Sequence, residues 1–210
     1  MYEYGLGVQQ DSAEAVRWYR LAADQQDTGA QWNLGLIYDE GWGVAQDYDE
    51  AVRWYRLAAD QGFCYAQYIL GVKYHLGEGV PEDQAEAVTW FRLAAEQGIA
   101  VAQHKLGNMY AKGKGVPKDD AEAVRWYGLA ADQGLVPAQY DLGVTYDTGK
   151  GVPPDLEKAH MWFNLAAAKQ TGKDREMSAK CRDAVELRMT SDQIAESQRR
   201  AREWTPTPEP

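Results

Sequence analysis

The 210 residues carry 22 Lys and Arg against 32 Asp and Glu, a formal net charge of -10, and 45% of them are hydrophobic. That apolar fraction supports a folded core rather than disorder, and the acidic balance repels phosphate backbones, so no nucleic acid partner is expected. No apolar stretch has the length of a bilayer span, which argues against membrane insertion. Met1 leads into MYEYGLG, which lacks the basic and apolar regions of a signal peptide; a cytoplasmic and a periplasmic or secreted setting are both compatible with this. Cys64 and Cys181 stand far apart and in no ligand spacing, which excludes a cysteine metal site and a disulfide scaffold. The 8 Trp and 13 Tyr against 3 Phe suit thin, half-exposed packing layers.

A single period organises the chain. Trp18, Trp54, Trp90, Trp126 and Trp162 stand 36 residues apart, and the glycine pairs Gly5/Gly7, Gly41/Gly43, Gly77/Gly79, Gly113/Gly115 and Gly149/Gly151 keep the same step. Such a repeat reads as an all-α solenoid of stacked helix pairs, here called A and B. The first element is a B helix over residues 12–25. Met1 and Tyr2 align with Ile37 and Tyr38, so the sequence reads as truncated within a helix A. One apolar side of the 12–25 helix is then expected to be uncovered, favouring end-to-end self-association.

The next helix A begins near Ala30 in AQWNLGLIY, where Ala30, Leu34 and Tyr38 form one stripe. Gly41 is placed to end it with a positive φ, and Gly43 and Val44 carry the turn. Helix B opens at aspartate in every unit, at Asp11, Asp47, Asp83, Asp119 and Asp155, with Glu14, Glu50, Glu86 and Glu122 three residues on. The pattern predicts an N-cap with a capping-box glutamate, together about 1 kcal/mol per helix. Lys158 replaces the fifth glutamate, which predicts a weaker cap there. Within helix B, Ala51, Trp54 or Tyr55, Ala58 and Ala59 set small beside large residues at helical spacing. Gly62, Gly98 and Gly134 close the helix, and Gln26 in the equivalent place predicts a looser first turn. Pro137 fits the first turn of the fourth helix A.

Beyond residue 169 the period breaks. Residues 170–204 are expected to form capping helices, over 173–188 and 190–203, the second opening with Thr190 and Gln193 at capping-box spacing. Residues 205–210, TPTPEP, read as a disordered, proline-rich tail.

The pattern LGxxY, then GxGV, then AxxWxxxAA with a closing glycine resembles the Sel-one-like repeat family, relatives of the tetratricopeptide repeats. LGLIY, LGVKY, LGNMY and LGVTY carry the likeness over residues 1–169, as one half-unit and four full units. The resemblance implies a right-handed α-α superhelix of antiparallel helix pairs with a concave face lined mainly by A helices, in a bacterial protein that acts as a protein- or peptide-binding scaffold. Some cysteine-rich relatives are linked to β-lactam or peptidoglycan-related hydrolysis. They carry a cysteine pair in each repeat, which this chain lacks, so that alternative is not carried over. A purely structural segment of a longer solenoid is the other alternative.

The residues supply no catalytic constellation. Each GxG joins two helices, whereas a phosphate loop joins a strand to a helix. The Asp/Glu pairs sit where capping accounts for them. His160 lies beside Met161 and Trp162 on a B helix, where packing is its expected role; His75 and His104 are more exposed but out of register for a shared metal. Ser12, Ser178, Ser191 and Ser197 lie in no SxxK or GxSxG setting. No catalytic residue, metal ligand or cofactor is therefore assigned, and the chain is not expected to be an enzyme.

If A helices line the concave face, the positions opposite the Ala30, Leu34 and Tyr38 stripe point into the groove. These are Trp32, Tyr68, His104 and Tyr140; Leu36, Val72, Asn108 and Val144; and Asp39, His75 and Asp147. Unlike the inward stripe, they vary between units while keeping aromatic and apolar members, as a partner-binding surface does; the alternative is that Trp32, Tyr68 and Tyr140 pack against the adjacent repeat. The acidic balance suggests a protein or peptide with basic residues around an apolar segment.

Overall fold

The computed structural model describes residues 12–169 and 171–208. Met1, Tyr2 and the cap expected at Asp11 lie outside the described residues. Among those described, every regular element is an α-helix: α1 (Ser12–Ala23), α2 (Thr28–Glu40), α3 (Tyr48–Asp60), α4 (Cys64–Leu76), α5 (Gln84–Glu96), α6 (Ala100–Lys112), α7 (Asp120–Asp132), α8 (Val136–Thr148), α9 (Leu156–Lys169), α10 (Gly172–Glu186) and α11 (Ser191–Glu203). Even-numbered helices to α8 are A helices and odd-numbered helices to α9 are B helices. None is long and apolar enough to cross a membrane.

The chain forms two compact units, residues 1–94 and 95–210. In the first, α1 packs on α2, α2 on α3 and α3 on α4. The core holds Ala30, Leu34 and Tyr38 from α2 and Ala51, Tyr55 and Ala58 from α3, so the alternation of small and large residues closes the layer. In the second, α6, α7, α8 and α9 pack in sequence, and α10 and α11 both lie against α9.

Each A helix ends on a left-handed glycine, Gly41, Gly77, Gly113 or Gly149. The second glycine of the pair is under a further constraint. A Cβ on Gly79 would lie 2.2 Å from the Tyr48 carbonyl oxygen, and one on Gly151 2.2 Å from that of Asp120. The turn therefore presses on the start of a neighbouring B helix, and no side chain fits between.

The B-helix caps differ from expectation in one respect. Asp47, Asp83, Asp119 and Asp155 each accept the N3 backbone N–H at 3.0 Å. Their own N–H groups donate not to a glutamate but to the carbonyls of Tyr38, Tyr74, Tyr110 and Tyr146, at 2.9 to 3.0 Å. The glutamates turn outward, where Glu50 and Glu86 accept the indole N–H of Trp54 and Trp90 at 2.9 and 3.0 Å. No capping box exists in α3 or α5, and the weaker cap expected at Lys158 loses its basis. In α11 the box is present, with Thr190 and Gln193 bonded reciprocally.

The first B-to-A turn is also not looser. Gln26 adopts φ 66°, close to the left-handed values of Gly62, Gly98 and Gly134. Its bonds, Gln26 N–H to Ala23 O at 2.9 Å and Asp27 N–H to Ala22 O at 3.1 Å, repeat those of Gly62 and Phe63. The stacking geometry dictates the turn, and a residue with a Cβ bears the strain.

One recurring residue had no role in the sequence reading. Gln31, Gln67, Gln103 and Gln139 are buried to 4% exposure or less. Each donates its amide N–H to the last-turn carbonyl of the preceding B helix, Ala23, Ala59, Ala95 or Ala131, at 3.1 to 3.3 Å. A helix end left without partners is thereby satisfied from the next helix. The 36-residue recurrence of this glutamine was the available signal.

After α11 residues 204–208 form no regular element. Trp204 packs edge-on to Trp162 at 6.2 Å, the Lys169 ammonium sits 5.0 Å from its ring, and Thr207 N–H donates to Asp132 O at 2.8 Å. Glu209 and Pro210 lie outside the described residues.

Candidate interaction surface

The groove positions grow out of one packing device. Gly35, Gly71, Gly107 and Gly143 face the rings of Tyr55, Phe91, Tyr127 and Phe163, and a Cβ on any of them would approach its ring to between 2.4 and 2.8 Å. Each ring lies in the layer because its glycine has no side chain. Beside each sits the ring at the first groove position: Trp32 on Tyr55 at 5.3 Å, Tyr68 on Phe91 at 5.9 Å, His104 on Tyr127 at 5.7 Å and Tyr140 on Phe163 at 5.7 Å. All eleven predicted positions are half-buried; none is sealed in the core and none stands fully exposed.

In the first unit Trp32 also meets Phe63 at 5.4 Å and Tyr65 at 6.5 Å, and Phe63 meets Tyr65 at 6.0 Å. Tyr65 is 47% exposed. This aromatic cluster joins α2 to the start of α4, and the sequence reading missed Phe63 and Tyr65 because their contact with Trp32 depends on how the layers superpose. Leu36 packs beside Trp32 against the core, and Val72 is half-buried on α4. Asp39 accepts the Tyr55 hydroxyl at 3.2 Å and pairs with Lys73. Burial first, then Asp39, raises the Tyr55 pKa far above the phenol range. Lys73 is the least expected residue here: its side chain is 6% exposed and its ammonium binds Asp39 and Glu78. Burial opposes its charge, but hydrogen bonds to the two carboxylates outweigh that and raise its pKa. His75 bonds Gln84 through Nδ1 at 2.7 Å.

In the second unit the structure brings His104, Asn108 and Tyr127 together with Asp141. His104 Nε2 lies 2.7 Å from Asp141 Oδ2 and 3.2 Å from Asn108 Nδ2, and the Tyr127 hydroxyl donates to Asn108 Oδ1 at 3.1 Å. Tyr140 and Val144 pack against a small cluster of Ala159, Phe163 and Val185. Burial pushes the Tyr140 hydroxyl up to about 12, with a further contribution from Cys181, whose Sγ lies 3.7 Å away. Asp147 pairs with Arg188.

His160 is where a catalytic reading has to be tested. Its Nδ1 lies 2.9 Å from Ser197 Oγ and its Nε2 3.4 Å from Glu186 Oε2, a serine–histidine–carboxylate order. Ser197 is fully buried and its hydroxyl donates to Ile194 O at 2.9 Å. A nucleophile needs a free approach, so this trio ties α9 to α10 and α11 instead. Burial holds the imidazole pKa below its ordinary value, against the opposing pull of Glu186. Among the described residues, no group of three or more His, Cys, Asp or Glu is arranged to hold a metal.

Paired helices in a fixed 36-residue register, followed by two helices outside that register, define a helical-repeat protein. The Sel1 repeat model matches residues 1–27, 28–63, 64–99, 100–135 and 136–170, and the chain belongs to the Sel1 repeat family. A Sel1 repeat protein from Oxalobacter formigenes is 36% identical, with a TM-score of 0.76 over 97% of this chain and 84% of that one. The protective antigen c5321 of uropathogenic Escherichia coli, which displays an SLR fold, is 31% identical, with a TM-score of 0.58 over 97% of this chain. The chain spans about half (51%) of that antigen's length. Comparison with curated proteins gives no match.

Proposed function

We propose that the chain is a non-catalytic scaffold that binds a protein or peptide along its A helices, through Trp32, Leu36, Asp39, Tyr68, Val72, His75, His104, Asn108, Tyr140, Val144 and Asp147. One observation carries this reading: at every one of these positions the side chain is half-buried. Rings braced by a core ring lose little conformational freedom when a partner covers them, which makes them effective anchors. The aromatic cluster of Trp32, Phe63 and Tyr65 is the strongest such anchor.

Capture from the native host's lysate on wild-type protein is compared with capture on a variant carrying Trp32→Ala, Tyr68→Ala and Tyr140→Ala. The variant is expected to lose the partner while its circular dichroism melt remains cooperative. Because each ring also supports the core, its melting temperature should fall; loss of capture only in proportion to loss of fold overturns the reading.

A second reading rests on α1. Trp18 is 49% exposed, whereas Trp54, Trp90, Trp126 and Trp162 are 5 to 8% exposed, and Leu21 beside it is 45% exposed. This apolar face supports self-association of the chain through α1.

A further inference from the structure

The two units hold the same repeat positions in different chemistry. In the first, the Lys73 ammonium lies against Asp39, 3.0 Å from Glu78 Oε2 and 4.4 Å from the centre of the Tyr48 ring. The space between these residues is filled by the chain's own lysine. Two repeats on, Thr145 stands for Lys73, Ala111 for Asp39, Asp120 for Tyr48 and Lys150 for Glu78. The first three replacements are shorter, and a cavity of about 170 Å³ opens between α6, α7 and α8.

Two carboxylates line it, and so do two lysines, Lys118 and Lys150. Asp120 and Asp141 both border the cavity together with Tyr127, and after burial itself these two carboxylates raise the Tyr127 pKa. Their side chains are 33% and 32% exposed. The ammonium groups at this place are further out: Lys118, 58% exposed, pairs with Asp120 at 3.1 Å, and Lys150 is exposed. The acids have thus moved to adjoining positions of the same layer, while the buried lysine has been lost.

We propose that this opening receives a lysine side chain of a bound protein or peptide, its ammonium seated between Asp120 and Asp141 and its stem against Val144 and Thr145. The first unit shows that this place in the layer accommodates a lysine. Two resident groups compete for these acids: Lys118, itself 58% exposed and so weakly held, at Asp120, and His104, whose Nε2 lies 2.7 Å from Oδ2, at Asp141, where the incoming ammonium has to share the carboxylate. Burial of the incoming methylene stem favours exchange. The inference rests on the groove reading above and names the residue a groove-bound segment presents beside Val144.

The test uses the full, isotope-labelled chain and three capped pentapeptides, Gly-Gly-X-Gly-Gly with X as lysine, norleucine or glutamate. Amide shifts of Ala111, Tyr127, Asp141 and Thr145 are followed by NMR titration. The lysine peptide is expected to saturate these shifts with an affinity roughly tenfold or more above that of norleucine, and added salt should weaken it. Thr145→Lys, which restores a resident amine, should abolish the response. Equal shifts with norleucine, or stronger shifts with glutamate, overturn the proposal on the wild-type chain alone, whether or not the variant folds; undiminished lysine binding by a folded Thr145→Lys overturns it too. Failure here leaves the alanine capture experiment unaffected, so the pocket and the groove can fail separately.

Discussion

Gln26 holds a left-handed backbone, φ 66°, in a turn whose counterparts are Gly62, Gly98 and Gly134. A Cβ in that conformation costs about 1 to 2 kcal/mol, part of which a glycine gives back as unfolded-state entropy. Gln26→Gly is expected to raise unfolding stability by about 1 kcal/mol, read as a higher urea midpoint at unchanged slope. An unchanged or lower midpoint would show that the Gln26 side chain offsets its own strain. The sequence makes this position conspicuous but suggests the wrong consequence, because the absence of glycine predicts a looser turn where the structure keeps the same turn under strain. The same holds for Glu50 and Glu86: spacing alone allowed a capping box, but the cap N–H groups were already taken by Tyr38 and Tyr74 of the preceding A helix. Spacing along one helix carries no information about a competitor on another.

At the scale of the helix pair, the interlock of glycine and ring decides stability, and two glycines one helix apart should respond in opposite directions. A Cβ on Gly107 of α6 would lie 2.7 Å from the Tyr127 ring and 3.2 Å from Ala123 O, whereas one on Gly128 of α7 meets nothing within 4 Å. Gly107→Ala is expected to cost about 3 kcal/mol through overpacking, and Gly128→Ala to gain up to about 1 kcal/mol as a better helix former. Thermal melts of the two variants check this; destabilisation by both would mean that helix α7 tolerates no side chain there either. The helices were legible in LGxxY and AxxWxxxAA, but this pairing was not, because the ring on each glycine belongs to the residue after the recurring tryptophan and the contact depends on how the two helices superpose. Nor was the chemistry between layers legible. The Asp39, Lys73 and Glu78 cluster joins residues of α2 and α4 to the turn after α4, and no periodicity reports which polar side chains of successive layers meet. Helical phase alone singled out the eleven candidate positions, but not their half-burial, which for Trp32, Tyr68, His104 and Tyr140 depends on the ring packed beside each of them.

At the scale of the whole molecule, α1 presents Trp18 beside Leu21, and it is Trp18 that differs, since α3, α5, α7 and α9 keep their tryptophan covered. Sedimentation velocity over a range of concentrations is expected to show reversible association, abolished by Trp18→Glu with Leu21→Glu. Concentration-independent monomer behaviour of the wild type would count against it. The opposite arrangement holds at α9, where Leu165 is 9% exposed while Leu21, Leu57, Leu93 and Leu129 are 39 to 45% exposed. Ala201 and Trp204 pack on the cluster that contains Leu165. The difference between Lys73 and Thr145 has a consequence of another kind. Repeats of one geometry invite a bound segment to slip along the chain by whole units, with every apolar contact re-formed after the slip. On the lysine-pocket proposal, a buried ammonium at one place and an opening at its counterpart remove that degeneracy: a side chain that fits beside Thr145 finds the place beside Lys73 already filled, so only one frame on the chain is open to it.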